Sequence, residues 1–311
     1  MADDRRPSEA SGDRLGGGPP GPAGPTPVLD EAFERMARSD FELPNGFVNH
    51  GPMACEALAA LGCDDLVDPW ARRSAALVGE GPAPVEPGPG DFDWQDAFGH
   101  YDRLPEWLGF FAASVADDGW AVVVARWVPR LMPGLSTALF HGAIRTAHAV
   151  RAVDAADTPP RRAELARALG YWAARFRAGA KPSDPARGTE LVRAVTAEAA
   201  TGAHHYLAAP NIFNLHGVTG AMAVELMSPH LAAEDGAAAL AQVRADHAAM
   251  YGGTGSAATG GAAVWDAEVV ARAAASGDPH QVKLVEASRR GLAISGDAVF
   301  AAAAEMVTGG G

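Results

Sequence analysis

Runs of β-branched residues with strict apolar and polar alternation are almost absent from the chain, whereas Ala-rich helical patterns cover most of it. This pattern predicts an all-α fold. Short breaks of Gly, Pro and Asp delimit the segments. The expected helices are 29–38, 51–61, 134–153, 160–178, 185–200, 212–228, 235–250, 263–275, 279–290 and 293–308.

Three segments lack helical character. Residues 1–27 alternate in charge and then become Gly/Pro-rich, which predicts a disordered tail without a signal peptide, followed by one helical domain over 28–311. Residues 79–90 are so rich in Pro and Gly that they predict a linker or a long surface loop. Residues 252–261 contain a Gly-x-Gly-x-x-Ala pattern, but a helix precedes it where a dinucleotide site needs a strand. An interhelical loop is the better interpretation, and an NADPH site lacks support.

Composition narrows the classes of partner. The chain has 311 residues, 48% of them hydrophobic, which is enough to bury a large core. A net charge of −13 argues against nucleic acid or anionic lipid as partners. The longest apolar stretch, near residues 120–127, is too short to cross a bilayer, which takes roughly 20 helical residues. The two cysteines, Cys55 and Cys63, suit a reducing compartment, so we expect a cytoplasmic protein.

Aromatic residues are concentrated between Phe92 and Trp127. They have two interpretations. The first is packing between helices, the usual role of aromatic side chains in a core. The second is an aromatic wall for a flat apolar ligand.

Histidine spacing provides the first candidate chemistry. His141 and His148 are seven residues apart on a predicted helix, so they share one face with Cα atoms roughly 10.5 Å apart. Imidazoles at that spacing can reach one metal ion. Arg145 lies on the same stripe, where a cation fits an outer or substrate-anchoring role better than ligation. A histidine taken alone, by contrast, is usually a hydrogen-bonded core residue.

Lysine usage provides the second candidate chemistry. Only two of the 25 basic residues are lysines, Lys181 and Lys283. Lys181 lies in an evident loop and is expected to be solvated. Lys283 follows a good helix start, with Asp278 as cap and Pro279 at the first position. A helix N-terminus disfavours an ammonium and favours an anion, so a carbamate formed from a neutral amine and carbon dioxide would be stabilised there. The alternative is an ordinary exposed lysine.

Five segments together resemble the questin oxidase-like family. They are NHGPMACEAL at 49–58, HGAIRTAHA at 141–149, GYWAARF at 170–176, FNLHGVTG at 213–220 and DPHQVK at 278–283. The resemblance runs in order from about residue 30 to residue 300. It implies an all-α enzyme that oxidatively opens rings of aromatic polyketides such as anthraquinones, with outcomes of the Baeyer–Villiger type.

The resemblance also implies a metal site. At least one member of the family is understood as an atypical non-haem iron dioxygenase whose metal is held by four histidines and a carboxylated lysine. His50, His141, His148 and His216 match the histidine motifs, and Lys283 matches the lysine. His280 is a fifth candidate for four places, so which histidine lies outside the ligand set stays open.

Several expectations follow from that implied site. Neutral imidazoles and one anionic oxygen suit ferrous iron, and five protein ligands on an octahedron leave one position for dioxygen as co-substrate. A phenolic substrate is expected against the aromatic segment. Arg145, Thr146, Tyr171 and Trp172 are candidates for placing it, with Arg145 and Tyr171 as the candidate catalytic residues.

Other functions remain open on the sequence alone. A metal-assisted hydrolase would pair His with Asp on helices, and Asp246-His247 is the one adjacent case. A non-catalytic helical binder of aromatic polyketides would need no metal. A nicotinamide-dependent monooxygenase without iron would consume NADPH. Metal analysis separates these alternatives from the iron oxygenase.

Overall fold

The computed structural model describes residues 27–86, 92–183, 190–252 and 264–309. Fourteen α-helices account for most of these residues, and the only β-type pairing among them is two isolated bridges. The prediction of an all-α fold is confirmed. The helices are α1 Pro27–Met36, α2 Gly51–Leu61, α3 Asp64–Leu77, α4 Trp94–Ala97, α5 Leu104–Asp118, α6 Trp120–Leu131, α7 His141–Ala155, α8 Pro159–Arg175, α9 Leu191–Ala208, α10 Ile212–Met227, α11 Ala233–Tyr251, α12 Glu268–Ser276, α13 Pro279–Ser295 and α14 Val299–Val307.

Four of these helices form a closed ring. Helix α2 packs on α7, α7 on α10, α10 on α13, and α13 on α2. Two apolar clusters of buried side chains meet at this ring. One spans mainly α5 to α11, and the other joins α1, α2 and α3 to α12 and α13. The ring is therefore held from both sides by packed core, which makes it the rigid centre of the molecule.

Two predicted breaks are wrong because glycines there serve close packing. The expected helix 185–200 instead runs to Ala208, through Gly202, whose Cα faces the backbone of Gly217 in α10. The expected break between 290 and 293 is absent as well. Gly291 lies inside α13, where its missing side chain makes room for the ring of Phe300. A glycine in a helical pattern can mark a close approach as well as an end.

The first turn expected for the 134–153 helix is not helical. Helix α7 begins only at His141, and Ala138, Leu139 and Phe140 before it all have positive φ, at 48°, 55° and 64°. Chirality makes this conformation cost roughly 1–2 kcal/mol per residue for side chains other than glycine. Nothing in the residue types announces such a turn, so the pattern alone places the helix start too early.

The segments expected to lack helices fall into two groups. Residues 79–86 form no helix and lie on the surface against α5, since the Val85 amide donates to the Pro105 carbonyl. They therefore form a surface loop rather than a linker. The predicted tail lies outside the described residues except for Pro27, which begins α1. The Gly-rich 252–261 loop also lies outside them from residue 253 onward. Among the described helices, none has the length and hydropathy required to cross a bilayer.

The aromatic segment is core. Trp107 packs edge-to-face on Phe92, Phe110 and Trp127 and stacks on Phe111, with ring centroids 4.9–5.9 Å apart. Helices α5 and α6 rest on α8 rather than on the four-helix ring. Of the two interpretations, the packing one is therefore right for these rings, and the expectation of a substrate wall there is corrected.

Candidate metal centre

Four histidines meet at one end of the four-helix ring: His50, His141, His216 and His280. A ring nitrogen from each lies within 4.8 Å of a ring nitrogen of every other. Each ring helix contributes one histidine at or near its first turn. His50 caps α2, His141 opens α7, His280 is the second residue of α13, and His216 is the fifth residue of α10.

Backbone carbonyls fix the tautomers of two of these imidazoles. His141 Nδ1 lies 2.5 Å from the Ala138 carbonyl oxygen, and His216 Nδ1 lies 2.7 Å from that of Ile212. Because a carbonyl only accepts, each Nδ1 must carry the hydrogen and donate it. Each Nε2 atom therefore presents a lone pair, and the two Nε2 atoms lie 3.1 Å apart. Two facing lone pairs repel, unless an electrophile lies between them.

The nitrogen separations match those of ligands around one ion. His50 Nε2 lies 2.7 Å from His141 Nε2, which in turn lies 3.1 Å from His216 Nε2. Two nitrogens that each bind an ion at about 2.1 Å and at a right angle lie about 3.0 Å apart. His141 Nε2 is thus spaced from each of the other two Nε2 atoms as adjacent ligands of a single metal would be.

Burial keeps the imidazoles neutral. It lowers the pKa of His50 and His216 well below the usual value and that of His141 to about 3, and the positive charge of Lys283 is the next cause in each case. Near neutral pH these rings do not protonate, so no proton competes for their lone pairs. Neutral imidazole is the form that binds metals.

Lys283 is the charged group beside the cluster. It lies on α13 one turn after His280, is 1% exposed, and its Nζ has no hydrogen-bond partner. Burial lowers its pKa to about 7, against a smaller opposing effect of Asp278. At neutral pH a large fraction of the molecules therefore carries Lys283 as a free amine. The alternative of an ordinary exposed lysine is excluded.

His280 is oriented by the cap of its own helix. Asp278 accepts the backbone hydrogen of His280 at 2.8 Å, and its same carboxylate oxygen lies 3.2 Å from His280 Nδ1. A carboxylate behind one ring nitrogen fixes the tautomer and makes the other nitrogen a better ligand. The cap of α13 therefore also orients a candidate ligand.

The left-handed turn before α7 orients His141. The Ala138 carbonyl that fixes this imidazole belongs to the turn itself. At the end of the turn, the Phe140 ring lies against Gly220 of α10, where a Cβ would come within 2.4 Å of it. Strained backbone of this kind persists only where its surroundings determine it, and it is enriched at functional sites.

The structure does not bring His148 to the cluster. Both histidines lie on α7 as predicted, but His148 Nδ1 lies 2.5 Å from Glu56 of α2. Burial lowers the pKa of His148, and the charges acting on it are those of Glu56, Arg151 and Glu286 rather than Lys283 or the other histidines. His280 takes the place in the cluster that the spacing had indicated for His148.

The candidate catalytic residues have their partners outside the cluster. Arg145 is 1% exposed and forms a bidentate ion pair with Glu164, in which Nε and Nη2 donate to the two carboxylate oxygens at 2.6 and 2.9 Å. Its guanidinium also lies over the Phe41 ring. The ring of Tyr171 stacks on the same Phe41 ring, and its hydroxyl donates to Glu42 at 3.1 Å. Burial, and next Glu42, raise the pKa of the Tyr171 phenol. Both side chains are engaged in packing.

Thr146 and Trp172, proposed as further substrate contacts, are also engaged in the fold. The Thr146 hydroxyl donates to the Gly142 carbonyl, and the Trp172 indole donates to that of Gly134. The Trp172 ring fills the space beside Gly142, directly after His141. Their contacts support the backbone around the first turn of α7.

A buried charge network was missed by sequence reasoning. It joins Glu56 of α2 to Arg151 of α7, and Arg151 to Glu286 of α13. Glu56 is the one charged residue in the apolar sequence of α2. A lone carboxylate in an apolar helix requires a buried partner, and this was the signal available.

The comparisons with known proteins add no relative: no protein-family model, curated protein or solved structure matches this chain.

Proposed function

We propose that the chain is a non-haem Fe(II)-dependent oxygenase that uses dioxygen to open a ring of an aromatic polyketide, with an outcome of the Baeyer–Villiger type. The observation that carries the proposal is the meeting of four histidines, with nitrogens spaced as ligands, beside a buried unpartnered lysine amine. The resemblance to questin oxidase-like proteins supplies the substrate class.

The donor atoms fit ferrous iron. His50, His141 and His216 offer neutral imidazoles, His280 offers a fourth ring nitrogen, and an anionic oxygen ligand would complete a set that suits this ion. A ferrous ion bound there would supply the activation of dioxygen. The low pKa of His50, His141 and His216 would keep protons off their ring nitrogens. The burial of His141 and His216, with the other two histidines half-buried, would limit the access of bulk water to the ion.

Lys283 would supply the anionic oxygen as a carbamate. Its neutral amine would attack carbon dioxide, form one N–C bond and release one proton, which leaves a carboxylate on nitrogen. The first turns of α2, α7, α10 and α13 converge here, and the positive ends of helices stabilise an anion and destabilise an ammonium. The field of these helix ends would thus favour the carbamate over the ammonium form of Lys283.

An aromatic substrate would approach at the same end of the ring. Phe47 and Phe213 are 67% and 62% exposed, and each precedes a cluster histidine by three residues. On α10 that spacing places Phe213 one turn N-terminal to His216, and helical side chains such as that of His216 lean in the N-terminal direction. These two rings, rather than the buried aromatic segment, would offer a flat ligand its first apolar contact.

Metal analysis and oxygen uptake test the proposal together. Protein purified without oxygen is analysed for metals, stripped with a chelator and resupplied with Fe²⁺ or Zn²⁺. Oxygen consumption is then followed with a hydroxylated anthraquinone as probe. We expect iron in the purified protein, loss of uptake after chelation, and recovery with Fe²⁺ only. Unchanged turnover of the stripped protein would contradict the proposal, and NADPH consumption by that protein would favour the iron-free monooxygenase.

A further inference from the structure

The four helices that carry the cluster histidines are joined a second time, one to three turns farther along, by a buried network of charged side chains. Each ring helix contributes to it: Glu56 from α2, His148 and Arg151 from α7, Glu225 from α10, and Glu286 and Arg290 from α13. In each helix the cluster histidine comes first and the network residue follows. The four helices therefore run in the same direction from one level to the other.

Two arginines make the connections. Arg151 donates to both oxygens of Glu56, at 2.7 and 2.5 Å, and through a third nitrogen to Glu286. Arg290 donates to Glu286 at 2.7 Å and also to Glu225. The network thus links α2 to α7, α7 to α13, and α13 to α10. A planar guanidinium with several fixed donors is suited to hold two carboxylates at set positions.

The charges of the network depend on one another. Glu56 and Glu286 are 4% and 3% exposed. Although burial opposes it, Arg151 lowers the pKa of Glu56 to about 2. A buried carboxylate deprived of its arginine would be costly, so the network tolerates only a narrow set of helix positions.

We propose that this network positions the metal site: by fixing the spacing of α2, α7, α10 and α13, it sets the distances among the histidine nitrogens at the adjacent level. The inference rests on the metal centre of the proposed function. The network residues contact none of the candidate ligand nitrogens, and they act on the spacing of these nitrogens through the helices. Removing one connection would let one helix shift against the others and spread the ligand nitrogens.

Replacement of the arginines by lysine tests this role, because lysine keeps the positive charge but lacks the planar guanidinium that donates to two carboxylates. Arg290→Lys cannot reach Glu286 and Glu225 together, and Arg151→Lys provides a second variant at the other junction. Arg272→Lys is the matched control. Arg272 also bridges two carboxylates, Asp266 and Glu305, but joins α12 to α14, which carry no cluster histidine.

The readouts are Co²⁺ affinity, the visible absorption of bound Co²⁺, and the melting temperature. We expect the two network variants to bind Co²⁺ about tenfold or more weakly and with an altered absorption band. The control should lose comparable thermal stability and keep the band and affinity of the original protein. Unaltered Co²⁺ binding in both network variants, or the same alteration in the control, would overturn the inference.

Hydrogen exchange of the metal-free protein gives a reading that needs no ion. Faster exchange in the first turns of the ring helices is expected in the network variants and not in Arg272→Lys, and equal rates in all three would count against the network. If the unsubstituted protein fails to bind Co²⁺, the proposed metal centre is wrong, and these exchange rates still decide whether the network positions the helix ends.

Discussion

The Nε2 atoms of His141 and His216 lie 3.1 Å apart with no hydrogen available to join them, because each ring gives its one hydrogen to a backbone carbonyl. His50 can donate to one of them but not to both. Burial rules out protonation as the remedy near neutral pH, since the pKa of His141 is lowered to about 3. A bound cation would resolve the repulsion directly.

Divalent metal should therefore stabilise the protein, and the effect should depend on this pair. We expect added Co²⁺ at about 100 times its Kd to raise the free energy of unfolding by about 2.7 kcal/mol, measured by denaturant titration. His216→Gln should abolish most of this gain. His100→Gln, which changes an exposed histidine, should preserve it. Equal stabilisation of the two variants would place the metal elsewhere.

The free energy of unfolding should vary with pH because the pKa of Lys283 differs between the folded and unfolded chain. Its pKa is about 7 in the fold and 10.5 ordinarily, so between these values the unfolded chain binds the proton more strongly. Stability of the metal-free, carbon-dioxide-free protein should then rise with pH across that window, by up to about 1.4 kcal/mol per unit. Lys283→Met should remove this rise and be more stable than the original at pH 7. Denaturant titrations at several pH values provide the measurement.

The other lysine is the control for that experiment. Lys181→Met replaces an exposed side chain and should leave the slope as it is. A slope that survives Lys283→Met would mean that a different group causes it.

Carbamate formation predicts a dependence on bicarbonate. Adding ¹³C-bicarbonate should produce a carbamate carbon signal in the NMR spectrum and tighten Co²⁺ binding, because the ion gains an anionic oxygen ligand. Lys283→Met should show neither effect, whereas Lys181→Met should show both. Tighter Co²⁺ binding by bicarbonate in the Lys283 variant would refute the carbamate.

Gly220 is expected to matter for the site through Phe140. A Cβ at Gly220 would lie 2.4 Å from the Phe140 ring, which closes the turn that orients His141. Gly220→Ala should cost about 1–3 kcal/mol and also weaken Co²⁺ binding. Gly291→Ala makes a similar clash with the Phe300 ring, at 2.6 Å, eleven residues after His280 on α13. It should destabilise the fold without altering Co²⁺ affinity, and a parallel loss in both would remove the link between the turn and the site.

The sequence predicted helices better than it predicted neighbours. Periodicity located α10 and the start of α13 closely, because their caps and apolar faces are local features. The set of candidate metal ligands was harder to predict from the sequence. His141 and His148 share a face as expected, yet Glu56, 92 residues from His148, occupies its Nδ1. That contact depends on how α2 packs against α7, which no local pattern encodes.

Lys283 illustrates the opposite case. Its rarity among arginines and its place after a capped helix start were visible in the sequence, and burial of its amine agrees with a special role. The partner of Arg145 could not be predicted because Glu164 lies on the next helix. A buried arginine with a dedicated carboxylate and a substrate-binding arginine look alike until the fold places that carboxylate.

The cluster histidines come from widely separated parts of the chain: His50 and His141 are 91 positions apart, and His141 and His216 are 75 positions apart. No fragment of the chain that stops short of α13 contains the complete set. Coordination of an ion by all four histidines would therefore require docking of this late helix, so metal uptake would probe a late stage of folding.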